Sequence, residues 1–249
     1  MKIVKRNSMV QWRAWRSSLI LAVLSPVMFL SAMGLGLGSL IEEERAFGGV
    51  SYLPFFATGM LAATCMQSGA FSGMYAIMNK IVWQKNYEAQ LASPLSVRDV
   101  LLGEVSWSAV MLTQIAVPFF LIMALAGTIE SPLGVLAIPV SVLLGAGCAA
   151  VMMAFTATLE TDEAYTWVYR FVITPLFLLS GTFFPIDQLP TWGRVIAHLT
   201  PLFHGVELVR QLTVYDLELS ALWHLGYLLA LLGAGIVIAV HNFEKRLRP

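Results

Sequence analysis

The run LGVLAIPVSVLLGAGCAAVMMAFTATL, residues 133–159, contains no charged side chain. A bilayer core of about 30 Å needs about 20 apolar residues in a helix, so this stretch is long enough to cross one. Directly before it stands Thr128-Ile129-Glu130-Ser131-Pro132, which has the composition of a turn, and before that a second apolar run covers 103–127 with only Glu104 charged near its start. Two spanning helices joined by so short a connection make a tight helical hairpin. The chain therefore reads as an all-α membrane protein.

Four further windows of spanning length flank the hairpin. They are 17–40, between Arg16 and Glu42-Glu43-Glu44; 53–78, just before Lys80; 167–184, ending at Pro185; and 222–243. Six transmembrane helices then consume most of the 249 residues, and 1–249 is expected to form a single transmembrane domain. Composition agrees: 58% of residues are hydrophobic and 12% charged, against about 25% charged in soluble domains, with a mean hydropathy of +0.76. The 15 basic and 15 acidic residues cancel, so no overall field argues for nucleic acid or an acidic partner. Cys65 and Cys148 lie inside apolar runs, as small buried hydrophobes do.

Orientation follows from the basic residues, which stay preferentially in the cytoplasm near span ends. With both termini inside, Lys2, Lys5, Arg6, Arg13, Arg16, Lys80, Lys85, Arg98, Arg170, Lys245, Arg246 and Arg248 are cytoplasmic, and only Arg45, Arg194 and Arg210 are external. The acidic Glu160-Thr161-Asp162-Glu163 falls on the inner face, where carboxylates contribute little to orientation. Trp12, Trp15, Trp83, Trp167 and Trp223 fall beside span ends, where amphipathic rings are favoured. Residues 1–16 are expected to lie as a short helix in the inner interface; a cleaved leader fits less well, because the apolar run is long and Ser31-Ala32-Met33 is a poor cleavage site.

No G-x-x-x-x-G-K-[ST] phosphate loop occurs, so the chain carries no recognisable P-loop ATPase. Gly34-Leu35-Gly36-Leu37-Gly38 ends an apolar helix and lacks the context of a dinucleotide site. Gly69 and Gly73 have the spacing that lets membrane helices approach closely. The span centres hold almost no ionisable groups, which disfavours a carrier driven by a carboxylate proton relay. Energy for uphill transport would have to come from another subunit.

Two segments carry the functional reading. The inner loop from Trp83 to Asp99 mixes apolar and charged residues as a helix parallel to the membrane does; Ser93-Pro94 breaks it and Ser96 can cap the helix that follows. It is either a solvated interfacial loop or a rigid knob for a partner. The outer stretch from Gly181 to Arg210 is cut by Pro185, Pro190 and Pro201 yet is too apolar for a solvated loop, so it should fold back into the outer leaflet. On a helix His204, Glu207 and Arg210 share one broad face and can form a charged ladder. A metal site at His204 and Glu207 lacks a further ligand at convincing spacing. The four histidines, His198, His204, His224 and His241, do not cluster by spacing.

The run Leu178-Leu179-Ser180-Gly181-Thr182-Phe183-Phe184-Pro185-Ile186-Asp187-Gln188-Leu189-Pro190, followed by Pro201-Leu202-Phe203-His204-Gly205-Val206-Glu207-Leu208-Val209-Arg210, resembles the C-terminal signature of ABC type 2 permeases, in particular the lipo-oligosaccharide (nodulation-factor) export branch. Tyr87-Glu88-Ala89-Gln90-Leu91-Ala92-Ser93-Pro94-Leu95 is similar to the same family's inner coupling loop. The resemblance covers essentially the whole chain. It implies the transmembrane subunit of an exporter in a bacterial inner membrane, a homodimer or pseudo-dimer of six-span subunits, with two separate ATPase subunits that bind ATP and Mg; no cofactor is expected on this chain. It also implies coupling through Tyr87, Glu88, Leu91, Pro94, Leu95 and Arg98, and an outer gate or cargo path at Phe183, Phe184, Phe203, His204, Glu207 and Arg210. The expected cargo is an amphipathic glycolipid or lipo-oligosaccharide, with a hydrophobic drug as the alternative. A polytopic enzyme acting on lipid-linked substrates would need clustered polar residues in catalytic geometry, and a scaffold subunit would need none.

Overall fold

A computed structural model describes residues 7–8, 23–24, 26–37, 47, 49–84, 87 and 95–247. All regular structure among the described residues is helical. The first expected span, 17–40, falls only partly within them; 26–31 are helical and a π turn occupies Ala32–Leu37. The expected interfacial helix at 1–16 lies outside the described residues apart from Asn7 and Ser8.

Helix α1 (Tyr52–Phe71) continues through wider π turns at Ser72–Ala76 and Asn79–Trp83. Helix α2 (Val97–Leu125) begins at a capping box: the Ser96 hydroxyl accepts from the Asp99 backbone N–H at 3.1 Å, and the Asp99 carboxylate accepts from the Ser96 N–H at 3.0 Å. Two donors that the first turn cannot satisfy internally are thereby paired. This is the cap expected at Ser96, although the helix starts six residues before the apolar window at 103. The chain then turns at Gly127, whose φ of +70° suits glycine, and passes through a 3-10 turn (Pro132–Leu136) into α3 (Ala137–Thr156). The hairpin expected from the sequence is present.

The expected fifth span, 167–184, is less regular. Helix α4 (Glu163–Val168) widens into a π turn at Tyr169–Ile173, resumes as α5 (Thr174–Leu179) and stops at Ser180. Pro175 supplies no N–H to the preceding turn, and Gly181 at φ +78° takes the chain out of the helical register. Short helices α6 (Thr191–Leu199) and α7 (Pro201–Thr213) follow, and α8 (Ser220–Leu247) completes the fold.

Among the described residues three helical segments are long and apolar enough to cross a membrane: Val97–Leu125, Pro132–Thr156 and Ser220–Leu247. The apolar faces of α1 are spent inside the subunit; Phe56, Leu61 and Met66 are fully buried. At its centre stands α3, packed against α1, α2, α7 and α8. Small residues make this possible: a Cβ on Gly69 would overlap the Gly145 carbonyl, and one on Gly73 the Ala149 carbonyl. The Gly69/Gly73 pair thus serves close packing, as its spacing indicates. Cys65 and Cys148 are buried and unpaired, and they pack in the same core.

Candidate functional site

Two cavities flank the α1–α3 core. The first, about 820 Å³, on the side expected to be external, lies where α7 meets α8 and the loop after α5. Pro201 opens α7 at a position where its missing N–H costs nothing, and the Thr200 hydroxyl caps the turn by accepting from the Phe203 N–H at 3.2 Å. Most of α7 is buried against α1, α3 and α8, which brings its polar residues to the cavity wall.

Two of those residues are held by other parts of the chain. His204 Nε2 lies 3.0 Å from the His198 carbonyl, and His204 Nδ1 lies 2.8 Å from His224 Nδ1. A carbonyl only accepts, so His204 carries its proton on Nε2 and accepts at Nδ1; His224 therefore donates from its own Nδ1. The Tyr227 ring stacks on His204 with centroids 3.9 Å apart. Burial, and next the neighbouring His224, push the His204 imidazole down to about 4, which keeps it neutral. His224 Nε2 has no hydrogen-bond partner among the described residues and is not sealed from solvent.

Arg210 is buried, at 4% exposure, beneath the same cavity. Its Nη2 donates to the Gly181 carbonyl at 2.7 Å and the Phe55 carbonyl at 3.2 Å, and Cζ sits 3.6 Å from the Phe55 ring centroid. Burial lowers its guanidinium to about 10, still charged at neutral pH, while Glu207 pulls the other way. Burial raises the Glu207 carboxyl and Arg210 lowers it. No ion pair or hydrogen bond joins the two among the described residues. The ladder expected from three-residue spacing therefore does not form: His204 turns to α8, Arg210 to carbonyls of α1 and the α5 end, and Glu207 faces the cavity.

Of the other residues expected on the outer path, Phe203 lines the cavity between His198 and His224, at 4.5 and 5.8 Å between centroids. Phe183 instead packs into the core on Phe56 and Phe177, and Phe184 is half-buried away from the cavity lining. The structure also joins what the sequence kept apart: three of the four histidines meet here, because α7 and α8 run side by side although His224 lies a whole element beyond His204. Among the described residues they do not gather with enough further ligands to hold a metal.

The second cavity, about 540 Å³, on the side expected to be cytoplasmic, opens between α1 and α2. The Lys80 Nζ donates to the Glu104 carboxylate at 2.5 Å, with Glu104 at 2% exposure. Above it the Ser72 and Ser108 hydroxyls pair at 3.3 Å, and the Tyr169 hydroxyl donates to Gln67 at 3.2 Å. Of the expected coupling residues, Tyr87 is buried edge-on against Phe243 of α8, 5.9 Å between centroids; Leu95 is half-buried beside the same cluster and Arg98 is exposed. Glu88, Leu91 and Pro94 lie outside the described residues. Nearby, Arg246 donates to the Thr156 and Ala157 carbonyls and Asn242 to Ala154, closing the C-terminal end of α3.

Nodulation protein J of Rhizobium leguminosarum bv. viciae is 28% identical over 97% of this chain and 95% of its own length. Its namesake from Rhizobium leguminosarum bv. trifolii is 31% identical over 90% and 85%. Inner membrane transport permease YadH of Escherichia coli (strain K12) is 23% identical over 78% and 74%. The family model for ABC-2 type transporters matches residues 1–214. With this match, the apolar helices and the missing phosphate loop, the chain belongs to the ABC-2 type transporter family, as a membrane transport subunit whose ATPase is a separate protein.

Proposed function

We propose that this subunit moves an amphipathic glycolipid or lipo-oligosaccharide outward across a bacterial inner membrane. The observation that carries the cargo class is the outer cavity: buried donors and acceptors line it directly beside α6, whose Trp192, Val195, Ile196 and Leu199 are exposed. A polar headgroup in the cavity would have its acyl chain against that apolar face, in the outer leaflet. A purely hydrophobic drug would leave Glu207 and the imidazoles without partners, at a desolvation cost.

Six spans, cytoplasmic termini and a re-entrant α6–α7 pair complete this reading. So does a homodimer with two ATPase subunits that bind ATP and Mg. ATP-driven closure of the partners presses on the inner loop and tilts the spans; the inner cavity admits cargo and the outer one releases it. Tyr87, packed on Phe243 of α8, and Glu88, Leu91, Pro94, Leu95 and Arg98 couple the subunit to its ATPase.

The test is reconstitution of the permease with its ATPase. Glu88→Lys with Leu91→Lys is expected to abolish co-purification of the ATPase and cargo-stimulated ATP turnover, while the permease itself stays folded. Full turnover in that variant would remove the loop from the mechanism. Extraction of bound lipid from the wild-type complex should return a glycosylated species; only unglycosylated apolar compounds would reject the cargo class.

A further inference from the structure

We infer that the outer cavity is a binding site for the carbohydrate portion of the cargo, held by His224 Nε2, Glu207 and Arg210 and stacked on Trp223. The inference deepens the export reading above and rests on it for direction, but the site itself is argued from its own atoms.

Arg210 provides the main indication. It is 4% exposed, it borders the cavity, and its Nε has no partner among the described residues. An unsatisfied donor on a buried cation is costly, and a small turn of the Arg210 side chain that presents Nε to a hydroxyl-bearing ligand removes that cost. The histidine pair provides an independent indication. The hydrogen bonds from His204 fix the tautomer of His224 so that its Nε2 presents a lone pair to the cavity, with the ring held in place from behind. Glu207 adds carboxylate acceptors that have no partner among the described residues. Acceptors and donors thus occupy one wall.

The ligand class follows from the mixture. Among the described residues Asp187, Glu207 and Glu218 border the cavity against one cation, Arg210, so a phosphate or carboxylate ligand meets more repulsion than attraction there. Hydroxyl groups donate and accept at once and match such a wall without net charge. At the rim, Trp223 is 70% exposed, an apolar ring face of the kind that packs on the C–H face of a sugar. The volume of about 820 Å³ falls within the range of about 300–1,000 Å³ typical of small-molecule sites and leaves room for an oligosaccharide of a few rings.

The full-length permease in lipid nanodiscs, free of glycoside detergent, provides the test. It is titrated with soluble neutral tetrasaccharides, chitotetraose and maltotetraose, and in parallel with inorganic phosphate and spermidine, by calorimetry and tryptophan fluorescence. Saturable binding of at least one tetrasaccharide is expected, with phosphate and spermidine not competing. Trp223→Ala, a surface change that leaves the fold intact, should weaken it about three- to tenfold. Glu207→Gln and His224→Phe should each weaken it further, with monodisperse protein confirming the fold. Tetrasaccharide binding unchanged in Trp223→Ala and Glu207→Gln, displacement by spermidine or phosphate, or no sugar binding at all would overturn the inference. A permease that binds its ATPase and couples turnover yet binds no sugar leaves the export reading standing without this site. One that binds sugar but never engages an ATPase leaves the site standing and rejects the export reading.

Discussion

Neutralising Glu104 exposes how the start of α2 is held. The carboxylate is 2% exposed and takes a 2.5 Å contact from Lys80, whose side chain is 16% exposed. The contact ties the extension of α1 to the second turn of α2. Removing one member of a buried pair costs about 3–5 kcal/mol, mainly because the other charge is left without a partner. Lys80 retains some access to solvent, so the lower end applies, about 3 kcal/mol. In a chain of this size 1 kcal/mol corresponds to about 2–4 °C in Tm, which places Glu104→Gln and Lys80→Met each about 6–12 °C below wild type. The double variant, Lys80→Met with Glu104→Met, buries no charge and should return to within about 1 kcal/mol of wild type. Thermal challenge in detergent followed by fluorescence-detected size-exclusion reads all four proteins side by side. Single variants as stable as wild type, or a double variant with the sum of the single losses, would refute the argument that the pair is buried and coupled.

At Gly69 alanine meets the Gly145 carbonyl, so Gly69→Ala should cost about 1–3 kcal/mol by overpacking, while Gly226→Ala, inside α8 with open space around it, should lose nothing and gain up to about 1 kcal/mol in the same melting assay. Arg210→Lys should destabilise almost as much as Arg210→Met, because an ammonium cannot both span the Gly181 and Phe55 carbonyls and stack on the ring; equal stability of Arg210→Lys and wild type would contradict this. Because His204 is held near 4 in the fold against an ordinary 6.5, the unfolded chain binds a proton first as pH falls, and stability should decline from pH 6.5 towards 4. That decline should shrink in His204→Gln, measured as Tm against pH.

The hairpin of α2 and α3 was legible because its signals are local: two uncharged runs, a turn-forming pentapeptide and a capping serine. Gly69 and Gly73 were legible for the same reason, since helical spacing alone puts them on one face. The cavity was not. Three-residue spacing predicts that His204, Glu207 and Arg210 are neighbours on α7, and they are; it does not reveal that His224 and the Phe55 and Gly181 carbonyls, far away in sequence, offer two of them better partners. Nor does composition distinguish Phe183, which joins the core, from Phe203, which lines the cavity; both are aromatic residues within the same proline-cut stretch. The break in the expected span 167–184 had a visible cue in Pro175, but a proline within a membrane helix often leaves it continuous.

Both ends of α3 are fastened to later parts of the chain. The Thr213 carbonyl, at the last turn of α7, accepts from the Glu130 and Ser131 N–H groups at 2.9 and 3.2 Å just ahead of α3, while Arg246 and Asn242 of α8 hold its far end. Gly69 and Gly145 leave no clearance along its length. A rod pinned top and bottom and gripped at its waist acts as a fixed axle. Displacement then falls to the pieces joined by a wide turn and a φ-positive glycine, α4 through α6, which makes the rim of the cavity that carries His198 the compliant part and the wall that carries His204 and His224 the stationary one.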